Sequence, residues 1–170
     1  MATIGRFAFY GCSGLTAFEY PANYTGGSVE RYTFGEATAL KEIIIPSSVT
    51  TIGDNAFYGC STLESVTFSE GLTGIGEHSF QNCAKITEIS LPQKLTSIGT
   101  YAFSGCTGVT KLVVPDSVES IGTFAFYGMP LTEVSLPFVG CGRNKTTGKE
   151  AIFGAVFGYT SSNTGGTTKG

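Results

Sequence analysis

Five cysteines and one histidine are the side chains here that could ligate a metal, attack an electrophile or move a proton near neutral pH. Cys60, Cys83 and Cys106 recur at intervals of 23 residues, and Cys12 holds the equivalent place in an earlier unit. Ala37 and Met129 fill that place in two further units. Neither can ligate a metal as cysteine does, so the slot asks for a small or flexible apolar group. Stacked strands lie about 4.8 Å apart, close to the Cα separation of a disulfide, so neighbouring cysteines could in principle pair. A column of three would still leave one over. Zinc needs ligands converging tetrahedrally, commonly with C-x-x-C spacing, which is absent. The expectation is buried, reduced, structural thiols. Cys141 stands outside the register in a glycine-rich loop, and reads either as an exposed thiol or as part of an end cap.

His78 is explained by its slot, which holds Phe7, Tyr32, Asn55, Tyr101 and Phe124 elsewhere. Glu77 is adjacent, but no repeat supplies the nucleophile or carboxylate constellation that a general base requires. The stretch from Gly142 to Glu150 carries one residue too many for a G-x-x-x-x-G-K-[ST] loop and ends in Glu where the Mg²⁺-binding hydroxyl belongs. Asn23-Tyr24-Thr25 and Asn144-Lys145-Thr146 match N-x-[ST], a triplet common by chance in polar loops. No catalytic, metal or cofactor site is expected.

The elements that position these residues come from a repeat of the form I-G-x-x-A-F-x-G-C-x-x-L-x-x-V-x-L-P-x-x-V-x-x. Ile52-Gly53, Ile75-Gly76, Ile98-Gly99 and Ile121-Gly122 open four units without gaps, and Val29 and Ile4 open two earlier, less regular ones. A fixed period of this length marks a solenoid. The units run 4–28, 29–51, 52–74, 75–97, 98–120 and 121–137, with 138–158 as an irregular insertion or cap and 159–170 as a disordered tail.

Within a unit the strand segment is clearest at Ile86-Thr87-Glu88-Ile89-Ser90-Leu91-Pro92, where apolar and polar residues alternate. The proline that follows most of these segments closes the strand, with Ser69 as the exception. A second apolar pair, such as Leu95/Ile98, ends at a glycine that can turn the chain. Phe9, Phe34, Phe57, Phe80, Phe103 and Phe126 share one slot and should stack into a continuous column, since one coil cannot bury such a face alone. Ile152, Phe153, Val156 and Phe157 have the spacing of one helical face and should pack on the open end of the last coil.

These slots resemble the BspA-like leucine-rich repeats, the Treponema-type or leucine-rich repeat 5 group of bacterial and protozoan surface proteins, over roughly residues 4 to 137. The strand slots are similar to the core L-x-x-L-x-L, with Ile, Val and Phe often in place of Leu. The resemblance implies an α/β repeat solenoid, a right-handed leucine-rich-repeat coil with one short parallel strand per unit on the concave side. Turns, short strands and 3-10 or short helical segments would form the convex side. It also implies a secreted or cell-surface bacterial protein that attaches to host matrix proteins or other cells.

Composition fits a single solenoid domain of 170 residues, with 24 glycines and 14% charged residues. A formal charge of −3 leaves no electrostatic footprint for nucleic acid, and no apolar run is long enough to cross a membrane. Met1-Ala2-Thr3 runs into a repeat without a charged or apolar leader, and both ends read as cut from something longer. A monomer is expected, with end-to-end association open at the solenoid ends.

Function must then lie in the surface. Outward strand positions form one column of Ala17, Glu42, Ser65, Glu88, Lys111 and Glu133, and a second of Glu19, Ile44, Thr67, Ser90, Val113 and Ser135. These vary while the core slots stay fixed, which fits either a binding face or ordinary solvated strand positions. A protein-binding or adhesion module leads, and a spacer holding other domains away from the cell is the alternative. Carbohydrate binding is a remoter one, because it would want exposed aromatics on the concave face, whereas Tyr10, Tyr58 and Tyr127 lie in the turn.

Overall fold

The computed structural model describes residues 2–137 and 153–158, which build a parallel β-solenoid with a helical turn at its end. Successive units place β1 (Ser28–Val29), β3 (Thr51–Ile52), β5 (Gly74–Ile75), β6 (Ser97–Ile98) and β8 (Ser120–Ile121) side by side in a five-stranded parallel sheet. The register advances by one repeat per step, so Val29, Ile52, Ile75, Ile98 and Ile121 form a buried file. Beside this sheet, threonine hydroxyls reinforce the stack: Thr73 Oγ1 donates to Thr50 O at 3.1 Å and Thr96 Oγ1 to Thr73 O at 2.9 Å.

The expected file of longer strands forms only in part. β2 (Glu42–Ile44) pairs with β4 (Ser65–Thr67), and β7 (Lys111–Val113) pairs with β9 (Glu133–Ser135), all parallel and in repeat register. The segment Ile86–Leu91, the clearest strand by sequence, is not a ladder strand, and only an isolated bridge joins Ser90 to Val113. Its burial alternation holds nonetheless, with Ile86, Ile89 and Leu91 buried. The unit before it differs from its neighbours at one bulky position. Phe68 occupies the slot of Ile45, Leu91 and Val114, and its ring stands edge-on to Phe80 at 5.7 Å. Val66 and Phe68 are half-buried, whereas Ile43, Ile45, Ile89, Leu91, Leu112 and Val114 in the same slots of other units are buried.

The turn side is held by a different ladder. In the third unit the Asn55, Phe57 and Gly59 amides donate to Glu77, Ser79 and Gln81 carbonyls of the fourth, at 2.8 to 2.9 Å. The intervening amides of Ala56, Tyr58 and Cys60 close turns within the unit onto Gly53, Asn55 and Phe57 carbonyls. No helical or 3-10 stretch occurs within residues 2–137. Two left-handed residues per unit prevent one. The fourth slot has φ of 54° to 59° at Phe7, Tyr32, Asn55, His78, Tyr101 and Phe124, and the eighth is left-handed at Glu36, Asn82 and Gly59 among others.

Inside this ladder the phenylalanines stack face to face, with centroids 5.0 to 5.2 Å apart from Phe9 to Phe103 and 6.1 Å at the last step to Phe126. The terminal helical turn α1 (Phe153–Phe157) lies against that last ring. Val156 is buried and Phe157 meets Phe126 at 5.8 Å. The Phe124 and Phe126 amides, which have no further unit to reach, donate to Ala155 and Val156 carbonyls at 2.6 and 3.1 Å. Ile152, Cys141, Asn144, the stretch from Gly142 to Glu150 and the tail from 159 onward lie outside the described residues.

Candidate binding surface

A strand projects alternate side chains to opposite faces, and each unit repeats the choice. Ala17, Glu42, Ser65, Glu88, Lys111 and Glu133 are all exposed, as are Glu19, Ile44, Thr67, Ser90, Val113 and Ser135. The ladder brings Glu42 beside Ser65, Ile44 beside Thr67, Lys111 beside Glu133, and Val113 beside both Ser90 and Ser135. Lys111 Nζ meets Glu133 Oε1 at 2.8 Å, so these two charges are partly spent on each other. Ile44 and Val113 are 70% and 66% exposed although nothing in the packing requires apolar residues there. Glu88 stands on the unpaired segment, and its carboxylate accepts from the Ser90 hydroxyl at 3.2 Å.

Between the strand segments of the first two units the ladder is also missing, apart from the Lys41 amide donating to Thr16 O at 3.2 Å. A cleft of about 670 Å³ occupies the place, with Glu19, Glu42 and Ile44 at its rim and Phe18, Tyr20 and Tyr24 along its wall. The Tyr20 hydroxyl is buried without a hydrogen-bond partner. Burial, and then the neighbouring Tyr24, push its titration well above the usual phenol range. It is a neutral O–H at neutral pH.

The cysteine column is buried at Cys60, Cys83 and Cys106, whereas Cys12 is partly open, and all four are free thiols. Each buried thiol donates to the preceding unit's phenylalanine: Cys60 to Phe34 O at 3.0 Å, Cys83 to Phe57 O at 3.1 Å and Cys106 to Phe80 O at 3.3 Å. Burial pushes the Cys60 and Cys106 thiols up to about 12, and Cys83 well above its ordinary value. Such thiols carry almost no thiolate at neutral pH and are poor nucleophiles. Among the described residues no group of three or more His, Cys, Asp or Glu side chains could hold a metal ion. His78 Nδ1 lies 2.7 Å from Gln81 Oε1 and the ring stacks on Tyr101 at 5.1 Å, so it belongs to an aromatic file rather than to a proton relay.

That file was legible as a turn-surface slot filled mostly by aromatics, but its backbone conformation and stacking were not. Phe7 stacks on Tyr32 at 4.9 Å, and His78, Tyr101 and Phe124 stack at 5.1 and 5.0 Å, so the fourth slot lines the turn edge with rings. The repeat placed aromatics there. It did not show that a left-handed backbone turns them outward, and the only hint was that Asn55 and His78 are residue types that tolerate such φ values.

The BspA type leucine rich repeat region model matches the chain in six copies, over residues 1–26 and 27–144. Among curated proteins, none matches the chain. Among solved structures, a leucine-rich repeat protein from Bacteroides ovatus is 33% identical over 73% of this chain and 34% of its own, with a TM-score of 0.67. The T. pallidum leucine rich repeat protein is 34% identical over 72% of this chain and 59% of its own, with a TM-score of 0.69. A leucine rich cell surface protein from Faecalibacterium prausnitzii is 25% identical over 85% of this chain and 35% of its own, with a TM-score of 0.66. The chain thus spans between about a third and three fifths of the length of these relatives.

Proposed function

This chain belongs to the BspA-type leucine-rich repeat family, and from that membership we propose that it is a non-catalytic protein-binding module of a secreted or cell-surface bacterial protein. It engages host matrix or other cells through the face carrying β2, β4, β7 and β9, which we take to be the concave one. Six units over 4–137 supply the face, and α1 covers one end. The observation that carries the reading is the file of exposed outward positions whose identities vary from unit to unit, Ile44 and Val113 among them, while the buried slots stay fixed. The open cleft beside Ile44, with its unpartnered Tyr20 hydroxyl, gives that face relief as well as apolar contact. The F. prausnitzii relative named as a cell surface protein supports the location.

The test is binding of the whole chain to immobilised collagen, laminin and fibronectin, with Glu42, Glu88 and Glu133 reversed to lysine in one variant and Ile44→Asp in another. A loss of at least tenfold in both, with Tyr127→Ala on the turn edge unchanged, is the expected result. Binding indifferent to both variants would move the site off this face. Binding to none of the three would favour a spacer, whose continuous turn-side ladder would then be the feature that matters.

A further inference from the structure

The ring file on the turn edge is interrupted once. Five of the six fourth-slot residues are aromatic, and the sixth is Asn55, which lies between Tyr32 and His78 and is nearly buried. Successive rings of this file stack at 4.9 to 5.1 Å. Leaving one out opens a recess a single ring deep. The recess is part of a groove of about 550 Å³, floored by Asn55 and walled by Tyr32, His78 and Tyr58, with Asp54 and Glu77 at its rim. Tyr10 leans over Gly35 to extend the wall, edge-on to Tyr32 at 5.8 Å, and is 48% exposed.

We propose that this recess is a saccharide-binding site, independent of the strand face. Ring faces can take the C–H face of a pyranose. Carboxylates at the rim and an amide at the floor can accept from and donate to its hydroxyls. Asp54 is already oriented, because its Oδ1 accepts from the Glu77 amide at 3.0 Å. His78 is held ring-parallel to Tyr101 by that stack and by its contact with Gln81. Arg31, whose guanidinium lies over the Tyr32 ring at 5.3 Å from its centre, adds a donor, and the His78 face turned away from Tyr101 offers an open ring. A purely apolar ligand would desolvate three charged groups without pairing them, which is unfavourable. An anion would meet two carboxylates against one guanidinium. A neutral polyol with one apolar face satisfies both the rings and the rim.

The repeat supplies the decisive variant. Tyrosine already occupies the fourth slot at Tyr32 and Tyr101 with φ of 56° and 54°, against 56° at Asn55, so Asn55→Tyr completes the file in a backbone conformation the fold already uses. The experiment is saturation-transfer NMR of the full chain with maltotriose, cellotriose and chitotriose, with amide shifts mapping the contact. At least one sugar should bind, with shifts confined to residues 31–35, 54–58 and 77–81. Asn55→Tyr should weaken it at least tenfold with an unchanged circular dichroism spectrum, Tyr58→Ala should weaken it less, and Tyr127→Ala should leave it intact. No transfer from any of the three sugars at 20 mM, or equal binding by a folded Asn55→Tyr protein, would overturn the proposal.

Discussion

At the residue scale, the glycine after the leading isoleucine of the third to sixth units is required for a reason other than turning. Its φ is not positive, but a Cβ at Gly99 would lie 2.6 Å from the Glu77 amide nitrogen of the unit before, and Gly76 and Gly53 are placed alike against Asp54 and Arg31. The slot is a point of backbone-to-backbone contact between units. Gly5, in the first unit, has nothing within 4 Å of that direction. Gly99→Ala should therefore destabilise the protein by about 2 kcal/mol, as overpacking does. Gly5→Ala should change stability by less than about 0.5 kcal/mol, as an open surface site does. Urea denaturation of the two variants checks this, and equal losses would refute the contact argument. The buried thiols act on the same interface, since each bonds a carbonyl of the preceding unit. A small donor explains why cysteine is preferred to alanine there, a point that volume alone did not reveal.

At the element scale, the break opposite Ile86–Leu91 lies beside one bulky side chain, Phe68, which meets Phe80 edge-on. If Phe68 holds the third and fourth units apart, Phe68→Leu, matching Leu91 in the next unit, should let the segment pair with β4. Amide exchange at Glu88 to Leu91 should then slow at least tenfold. Exchange at unaltered rates would mean that the gap has another cause. The same segment shows how far the sequence could be read. Alternation identified which of its residues are buried, and register placed Glu88 and Ser90 on the exposed face, because both follow from side-chain direction. Whether its amides find a partner depends on the neighbouring unit, which a pattern within one unit does not contain. The surface columns were legible for the same reason as the core. The cleft beside Tyr20 was not, because it arises where two units fail to pair. The aromatic slot on the turn side was legible from residue choice, whereas the left-handed dihedrals at it were not.

For the molecule as a whole, stability in a stacked array is a sum of unit and interface terms, so its ends matter out of proportion to their size. α1 provides one such end. A helix leaves its last carbonyls without intrahelical partners, and here two of them receive the amides that in every earlier unit reach forward to the next. Val156→Asp places a carboxylate against Phe126 and should lower stability by about 3 kcal/mol, the scale of an unpaired buried charge. It should also produce concentration-dependent dimers in size-exclusion chromatography as the uncovered ring file seeks another surface. A stable, strictly monomeric variant would show that the end needs no cover.

The turn-side ladder runs in one direction. From Phe7 to Phe103 the fourth- and sixth-slot amides donate forward, onto carbonyls of the third and fifth slots in the following unit. Every interior unit thus presents the same donors ahead and the same acceptors behind, whatever its surface residues are. Duplicating or excising a whole 23-residue block would preserve the turn-side pattern of donors and acceptors at each remaining junction. Tandem recombination in the gene could therefore adjust the length of the array without redesigning either end, and a newly copied unit would be free to diverge at its outward positions from the start.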